Sequence, residues 1–231
     1  MFKRELNEHI ISGLKIFFES KEYKLKKTNE VIYFKKRLKN GFEDIGISSD
    51  NYYDTHYIRF GYGKRIDEIE NIVFELEKYF EPNIFLITKK NSTYYLNVVY
   101  DVTLPDWIKK DIKNEQDVKR ITDWIIQYTI DYAFEKFNYL NDLEAVDNEI
   151  NGEIFWLDDK DKPYGLHRFD VYRIVIAKLA KSSEEYKKFT DKLMAIEEKR
   201  IEEIRLSDEK YKDLKNWFVP KILTHLEEIV K

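Results

Sequence analysis

The sequence predicts an α+β fold in which an N-terminal helix and an antiparallel β-meander with a packed helix precede a C-terminal helical bundle. Between positions 31 and 102, apolar residues often alternate with polar ones, which is the period of half-buried strands. From about position 115 they recur every three or four residues, as in helices. Elements segregated in this way along a chain favour α+β over a doubly wound sheet.

The first forty residues predict a helix and a hairpin. One helical stripe carries Phe2, Leu6, Ile10, Leu14 and Phe17/Phe18. Tyr23–Leu25 is a short strand candidate, and Val31–Leu38 alternates with Ile32 and Phe34 turned inward. Asn40-Gly41 follows at once, and we expect this dipeptide to adopt the positive φ angles of a type I′ hairpin turn.

Residues 54–80 predict a strand that turns through Gly61-Tyr62-Gly63 into an amphipathic helix. Glycines at such a junction invite comparison with phosphate-binding loops. The dinucleotide pattern, however, needs a third glycine where Ile66 stands, and the mononucleotide pattern needs Ser or Thr where Arg65 stands. We therefore interpret the glycines as a tight turn, with an anion site at Lys64 and Arg65 as the alternative.

Residues 84–87 and 94–102 predict a second hairpin, after which the chain becomes helical. The helix that begins near residue 115 is apolar over much of its circumference, so we expect it to be largely buried. Residues 142–165 are acidic and predicted to be irregular. We divide the chain into a sheet region, 1–111, and a helical region, 112–231, packed together as one globular unit.

Three further helices are predicted towards the C-terminus. Phe169–Ala180 is strongly apolar, and Ser182 with Glu185 forms a capping box for a helix that runs to about Arg205. A final helix restarts at Ser207, and we expect Pro220 to kink or divide it.

Composition excludes several classes of protein. The chain of 231 residues contains no cysteine, which removes disulfides, thiolate metal sites and cysteine nucleophiles. Its longest apolar runs are about four residues, far short of the roughly 20 needed to cross a bilayer, and its start has no signal-peptide core. We therefore expect a cytoplasmic protein with no membrane partner. The sequence does not determine its oligomeric state.

Candidate catalytic groups are sparse. The four histidines, His9, His56, His167 and His225, lack the three- or four-residue spacing of a helical metal pair, so we expect no metal site and no cofactor. Asp54-x-His56 places a carboxylate and an imidazole on one strand face, as a base and its orienting group would lie. A half-buried structural histidine is the commoner outcome.

A second catalytic candidate has the residue types of a metal-dependent nuclease. Pro105-Asp106 is followed far downstream by Asp158-x-Lys160, but a long helix intervenes where adjacent strands would be needed to hold one metal. The sequence therefore favours a protein that is not an enzyme.

A basic hairpin is the first candidate binding site. Lys24, Lys26, Lys27, Lys35, Lys36 and Arg37 cluster beside Tyr23 and Tyr33. Residues 1–40 carry eleven Lys/Arg against five acids, whereas the whole chain has a net charge of -4. Basic residues interleaved with aromatics provide phosphate contacts and base stacking, so nucleic-acid binding or processing is one hypothesis. The alternative is that the lysines protect an edge strand from unwanted pairing.

An acidic segment is the second candidate. Phe155 and Trp156 lie among Asp158, Asp159 and Asp161. Acidic charges around aromatic anchors suit docking on a basic protein, because the charges steer association and the rings supply binding energy. The alternative is a solvated loop whose aromatic side chains fold back into the core.

The N-terminal half resembles a loosely defined group of uncharacterised bacterial α+β proteins, some of them immunity proteins encoded beside polymorphic toxins. The resemblance rests on Leu14–Phe18, Tyr23–Leu25, Val31–Phe34 and Ile58–Gly61, and on the later helices at 171–180 and 182–193. It implies a non-catalytic cytoplasmic protein-binding module, and it transfers no active-site residue. We expect the partner to be another protein, for which a basic toxin is one candidate, with nucleic acid as the alternative.

Overall fold

The computed structural model describes residues 3–28, 31–52, 55–79, 93–97, 112, 114–152, 168–207 and 218–230. An N-terminal helix, a five-stranded antiparallel sheet and several helices, mostly in the C-terminal half, confirm the α+β class. The strands are β1 (Lys24–Lys27), β2 (Val31–Leu38), β3 (Gly41–Tyr52), β4 (Thr55–Ile66) and β5 (Tyr94–Asn97).

The described helices are α1 (Lys3–Ser20), α2 (Asp67–Glu77), α3 (Glu115–Tyr128), a π-helical turn (Thr129–Ala133), α4 (Phe134–Tyr139), α5 (Leu143–Asn151), α6 (Arg168–Ala180), α7 (Ser183–Ser207) and α8 (Phe218–Ile229). The chain divides into two compact units. Unit 1 comprises Met1–Asp67 and Ser92–Tyr139, and unit 2 comprises Glu68–Asn91 and Leu140–Lys231.

The sheet of unit 1 is a meander in the order β1-β2-β3-β4-β5, and each strand is antiparallel to the next. Its register places Phe34 opposite Ile45 and Ile45 opposite Tyr62, so these residues share one face, the core face. The predicted α1 stripe packs there, since Leu6, Ile10, Leu14 and Phe18 are all fully buried. The Phe18 and Phe34 rings stack with centroids 4.4 Å apart.

The hairpin between β2 and β3 corrects one prediction. Strand β2 has the predicted bounds, but Leu38 pairs with Gly41, so the loop consists of Lys39 and Asn40. Neither loop residue has a positive φ, and the turn is therefore not type I′ at Asn40-Gly41. Gly41 has a φ of 149°, and a Cβ there would overlap the carbonyl oxygen of Arg65. The glycine is required by the close approach of β4.

The strand-to-helix junction also differs from the prediction. Strand β4 continues through Gly61 and Gly63 to Ile66, and α2 begins only at Asp67. Gly61 lies opposite Gly46 in the β3–β4 pairing, so the two glycines of β4 are ladder positions and make no turn. The predicted helical stripe is confirmed from Ile69 onward, because Ile69, Val73 and Leu76 are fully buried.

The helical predictions are confirmed in several places and corrected in one. Asp142 caps α5 by accepting a hydrogen bond from the backbone N–H of Ala145, so the start of the acidic stretch is helical and not irregular. The Ser182–Glu185 capping box forms as predicted. Pro220 lies in the first turn of α8, where a missing N–H costs least. The predicted strand at residues 84–87 lies outside the described residues.

In unit 2, α6 is buried at every position from 171 to 177, including the polar residues Tyr172 and Arg173. The Tyr172 hydroxyl donates to the buried Glu70 carboxylate at 2.7 Å. Arg173 donates to the carbonyl oxygen of Ile150 at 3.1 Å, which ties α6 to α5. Buried polar groups with such partners fix the packing of a helix that has no solvent-facing side there.

Replacing Gly41 with Ala tests the close approach of β4. We expect a loss of about 2–4 kcal/mol in the free energy of unfolding, because the new methyl group meets a backbone atom at a strained φ. The matched control is Gly46→Ala, whose methyl group would lie an ordinary 3.5 Å from the Tyr33 ring. Urea denaturation measures both variants, and equal stabilities would contradict the required glycine.

Replacing Tyr172 with Phe tests the buried hydrogen bond to Glu70. Removing one donor to a buried carboxylate should cost about 1–3 kcal/mol, since the ring volume is kept and only the hydroxyl is lost. Tyr132→Phe is the control, because Tyr132 is exposed and its change should stay within about 0.5 kcal/mol. Thermal and chemical unfolding of the two variants provide the comparison.

Candidate functional site

Several predicted site residues lie outside the described part of the chain. These are Phe155, Trp156, Asp158, Asp159 and Asp161, so the acidic docking segment stays a prediction. The same holds for the nuclease candidates at 105–106 and 158–160. Asp54 also lies outside the described residues, and the side chain of His56 is not described, so that pair stays a prediction too.

The structure separates the six residues of the predicted basic hairpin onto two faces of the sheet. Lys24 lies opposite Lys35 and Lys26 lies opposite Tyr33, which places these residues on the face away from the core. Arg37 follows Lys35 by two residues and shares that face. Lys27 and Lys36 lie on the core face, opposite Ile32 and Glu43.

Three of those six cations form ion pairs within the chain. Lys35 lies 3.4 Å from Asp44, Lys36 lies 3.0 Å from Glu22 and Arg37 lies 3.2 Å from Asp67. Lys35 also lies 3.3 Å from the centroid of the Phe42 ring. Burial lowers the pKa of Lys35, and the nearby Asp44 carboxylate opposes that shift. Strand β1 is the edge of the sheet, so edge protection also explains its lysines.

The basic surface extends beyond the hairpin to β4. Arg59 is exposed and lies opposite Ser48, on the same face as Tyr33 and Lys35. Among the strand residues whose side chains are described, Asp44 is the one carboxylate on this face. The basic face comprises Lys24, Lys26, Tyr33, Lys35, Arg37 and Arg59.

Tyr33 lies in a row of the basic face that contains two glycines. The row runs from Lys26 through Tyr33 and Gly46 to Gly61. A Cβ placed on Gly46 would lie 3.5 Å from the Tyr33 ring, so the ring leans over the glycine. Glycine inside a strand often marks a place where a ring, a ligand or another backbone approaches closely. Tyr33 is half-buried, and burial raises its pKa.

The alternative of an anion site at Lys64 and Arg65 is wrong, because both cations are engaged within the chain. Lys64 is only 4% exposed; it lies 3.6 Å from Glu43 and donates to the carbonyl oxygen of Phe137 at 2.5 Å. Arg65 lies 2.6 Å from Asp67. Burial lowers the pKa of Lys64, while Glu43 favours its charged form.

The Glu43 carboxylate also accepts a hydrogen bond of 2.8 Å from the Tyr23 hydroxyl. Burial, and then the charge of Glu43, raise the pKa of that tyrosine far above its usual range. Lys64 and Tyr23 therefore both contact the carboxylate of Glu43, which gives this buried charge two partners on the core face. Lys64 also satisfies a carbonyl of α4, which a helix end needs.

A second surface of unit 1 runs along the helix from α3 to α4. Its residues are Trp124, Tyr128, Tyr132, Lys136 and Tyr139, named here the aromatic ridge, and they follow one another every three or four positions. The rings of Trp124 and Tyr128 have centroids 5.1 Å apart, and those of Tyr128 and Tyr132 are 4.7 Å apart. Lys136 lies 5.4 Å from the Tyr139 ring.

The ridge begins in the core and ends in solvent. Tyr128 packs edge-on against Phe60 of the sheet at 5.8 Å, whereas Tyr132 is 57% exposed and Tyr139 is 48% exposed. The neighbouring Ile130 is 43% exposed. This exposure corrects the prediction that the helix is largely buried, although its other side is buried through Val118, Ile121, Thr122 and Ile125.

The ridge crosses the π-helical turn. There the N–H of Phe134 donates to the carbonyl oxygen of Thr129, five residues earlier. The Thr129 hydroxyl donates to the carbonyl oxygen of Ile125 at 2.7 Å. An inserted π turn displaces the following side chains around the helix, and such turns are frequent at functional sites. The four-residue spacing of Trp124, Tyr128 and Tyr132 is visible in the sequence, but their exposure is not.

Acidic side chains flank the ridge. Asp131 and Glu135 are exposed, and Asp131 accepts a hydrogen bond from Gln127 at 2.8 Å. Among the described residues, no group of three or more His, Cys, Asp or Glu side chains could hold a metal ion. The described helices also include none that is long and apolar enough to cross a membrane.

Comparisons with family models, with curated proteins and with solved structures give no match for this chain.

Proposed function

We propose that this chain is a non-catalytic, cytoplasmic protein-binding module, of the kind that neutralises a bacterial toxin by covering it. The observation that carries this proposal is the aromatic ridge with its exposed end at Tyr132 and Tyr139. Contiguous exposed apolar side chains on a folded unit are typical of protein interaction sites.

The chemistry of the ridge fits protein recognition. Tyrosine and tryptophan are enriched among the residues that dominate interface energies, because they provide a large contact area with few rotatable bonds. Here Tyr128 is held between Trp124 and Tyr132, and it rests on Phe60. Side chains that are already fixed lose little conformational entropy on binding.

The charge around the ridge favours a basic partner. Asp123, Asp131 and Glu135 are exposed on the same helical segment. The acidic segment with Asp158, Asp159 and Asp161 is proposed from the sequence alone as a second docking element. Acidic groups at the rim of an interface steer a basic protein into contact and discriminate against acidic ones. The resemblance to immunity proteins supports a protein toxin as the partner.

Truncating the ridge should weaken binding to the partner. We expect Tyr132→Ala and Tyr139→Ala each to raise the Kd about 10- to 100-fold, because an interface anchor is lost without disturbing the core. Isothermal titration calorimetry with the protein encoded immediately upstream measures the effect. The controls are Ile16→Ala and Leu206→Ala, which remove apolar side chains that are 81% and 82% exposed outside the ridge. Equal losses for ridge and control variants would contradict the proposal.

Charge reversal tests the acidic segment separately from the ridge. The triple change Asp158→Lys, Asp159→Lys and Asp161→Lys should weaken binding of the same partner and make the remaining binding less sensitive to salt. The matched control reverses Glu198, Glu202 and Glu203, three exposed acids of α7. If the affinity of the triple variant equals that of the unaltered protein, the segment has no part in docking.

A further inference from the structure

We propose that the aromatic ridge selects an arginine side chain of its protein partner, whose guanidinium group stacks on the Tyr132 ring and donates to the Glu135 carboxylate. This inference rests on the proposed function, because it assigns the chemistry of the contact at the same surface. A partner that docked on the ridge through an apolar side chain would leave the proposed function intact and contradict the arginine contact.

The Tyr132 ring is supported on one side and open on the other. Its centroid lies 4.7 Å from that of Tyr128, with 35° between the ring planes. Tyr128 is in turn held by Trp124 and by Phe60 of the sheet. Tyr132 nevertheless remains 57% exposed. A ring that is fixed from behind and open to solvent provides a flat face on which a planar guanidinium group can stack.

Glu135 is the acidic side chain next to that ring. It follows Tyr132 by three residues, and helical residues three positions apart are neighbours on the surface. Glu135 is exposed. Asp123 forms an ion pair with a lysine of α3 at 2.5 Å, and Asp131 accepts a hydrogen bond from Gln127 at 2.8 Å. We therefore assign the contact with the guanidinium group to Glu135.

The aromatic ridge already holds one cation of its own chain. The Lys136 ammonium group lies 5.4 Å from the centroid of the Tyr139 ring and 5.9 Å from that of the Tyr94 ring. A cation within about 6 Å of a ring centroid is attracted by the negative charge of the ring face. The carboxylates of Asp131 and Glu135 outnumber this single ammonium group, so this end of the ridge still favours a second cation.

An arginine fits this surface better than an apolar side chain or a lysine. An apolar side chain seated on Tyr132 would remove water from the Glu135 carboxylate without supplying a hydrogen-bond donor, which costs free energy. A lysine supplies the charge, but its ammonium group is strongly hydrated and has no plane to stack. The guanidinium group is less strongly hydrated, stacks on a ring and donates two parallel hydrogen bonds to a carboxylate.

The test uses three acetylated and amidated peptides of four Gly-Xaa repeats, in which Xaa is arginine, lysine or citrulline. Citrulline keeps the planar shape of the arginine side chain without its charge. Isothermal titration calorimetry measures binding to the full chain. We expect the arginine peptide to bind about two- to fivefold more tightly than the lysine peptide, because the two charges are equal and only stacking and donor geometry differ. The citrulline peptide should bind more weakly than both.

Substitutions of Tyr132 and Glu135 locate the peptide on the ridge. Tyr132→Leu should weaken binding of the arginine peptide about two- to fivefold, whereas Tyr132→Phe should retain it, because stacking needs only the ring. Glu135→Gln should weaken binding by a similar factor and make it less sensitive to salt. The matched controls are Tyr95→Leu, which removes a ring that is 54% exposed on β5, and Glu202→Gln, which neutralises an exposed acid of α7.

The double variant Tyr132→Leu with Glu135→Gln tests whether both side chains contact one guanidinium group. In that case the combined loss of affinity is smaller than the product of the two single losses, because each substitution weakens the same contact. Losses that multiply would indicate two independent contacts and contradict the shared guanidinium group. Circular dichroism of each variant verifies that the fold is retained.

Three further results would overturn the inference. The first is equal affinity for the arginine and lysine peptides, and the second is equal affinity of Tyr132→Leu and the unaltered protein for the arginine peptide. The third is a dimer that depends on Tyr132 in analytical ultracentrifugation, because a second copy of this chain would then occupy the ridge.

The proposed function is tested separately by the protein encoded immediately upstream. If that protein binds more weakly to Tyr132→Ala while the arginine peptide fails to bind the unaltered chain, only the arginine contact is wrong. If neither the protein nor the peptide responds to substitution of Tyr132, the ridge is not a docking site and both proposals are wrong.

Discussion

Unit 1 depends on the burial of one face of a β-meander beneath α1. Four α1 side chains spaced by four residues, Leu6, Ile10, Leu14 and Phe18, are removed from water completely. At about 25 cal/mol per Å² of apolar surface, burial of each side chain contributes about 2–3 kcal/mol. The four together are therefore comparable to the net free energy of unfolding of a typical domain, about 5–15 kcal/mol. Because side chains alternate along a strand, fixing this face also fixes which residues lie on the other.

The same alternation explains why charged residues close to one another in a strand occupy two different environments, the core face and the opposite face of the sheet. Lys64 and Glu43 lie on the core face, where burial removes their hydration and they form an ion pair. Glu43 also accepts a hydrogen bond from Tyr23, and Lys64 also donates one to the carbonyl oxygen of Phe137. Lys35 and Arg59 lie on the opposite face, where Lys35 pairs with Asp44 and Arg59 is exposed. A shift of the strand register by one residue would exchange the two sets, so the register is strongly specified.

The sequence is sufficient to predict features that depend on local period. Strand β2, the α1 stripe and the Ser182–Glu185 cap are all set by residues within a few positions of one another. The sequence predicts less well where contacts are long-range. The need for glycine at position 41 comes from the nearby carbonyl oxygen of Arg65. Gly61 and Gly63 are of a residue type common in turns, but both lie within the paired strands β3 and β4. Local propensity does not reveal which backbone will pass close to a glycine.

The candidate sites show the same division. That Lys24 and Lys35 share a basic hairpin is visible in the sequence, whereas the exclusion of Lys27 and Lys36 and the addition of Arg59 require the register. The sequence does not predict the aromatic ridge, because a helix with apolar residues on most of its sides is expected to be buried on most of its sides. The side that includes Ile121 and Ile125 is buried, and Trp124 and Tyr128 contact Phe60 of the sheet, whereas Tyr132 and Tyr139 are exposed.

Both candidate surfaces are therefore consequences of the same core. Tyr128 reaches back to Phe60, and Tyr33 rests on Gly46, so each surface is anchored in the sheet that α1 covers. The exposed side chains of these surfaces, such as Tyr132 and Lys26, contribute little to that core. Recognition and folding thus depend on different atoms of neighbouring residues. Substitutions of these exposed side chains should therefore change binding more than stability, because the buried residues that maintain the fold are left unaltered.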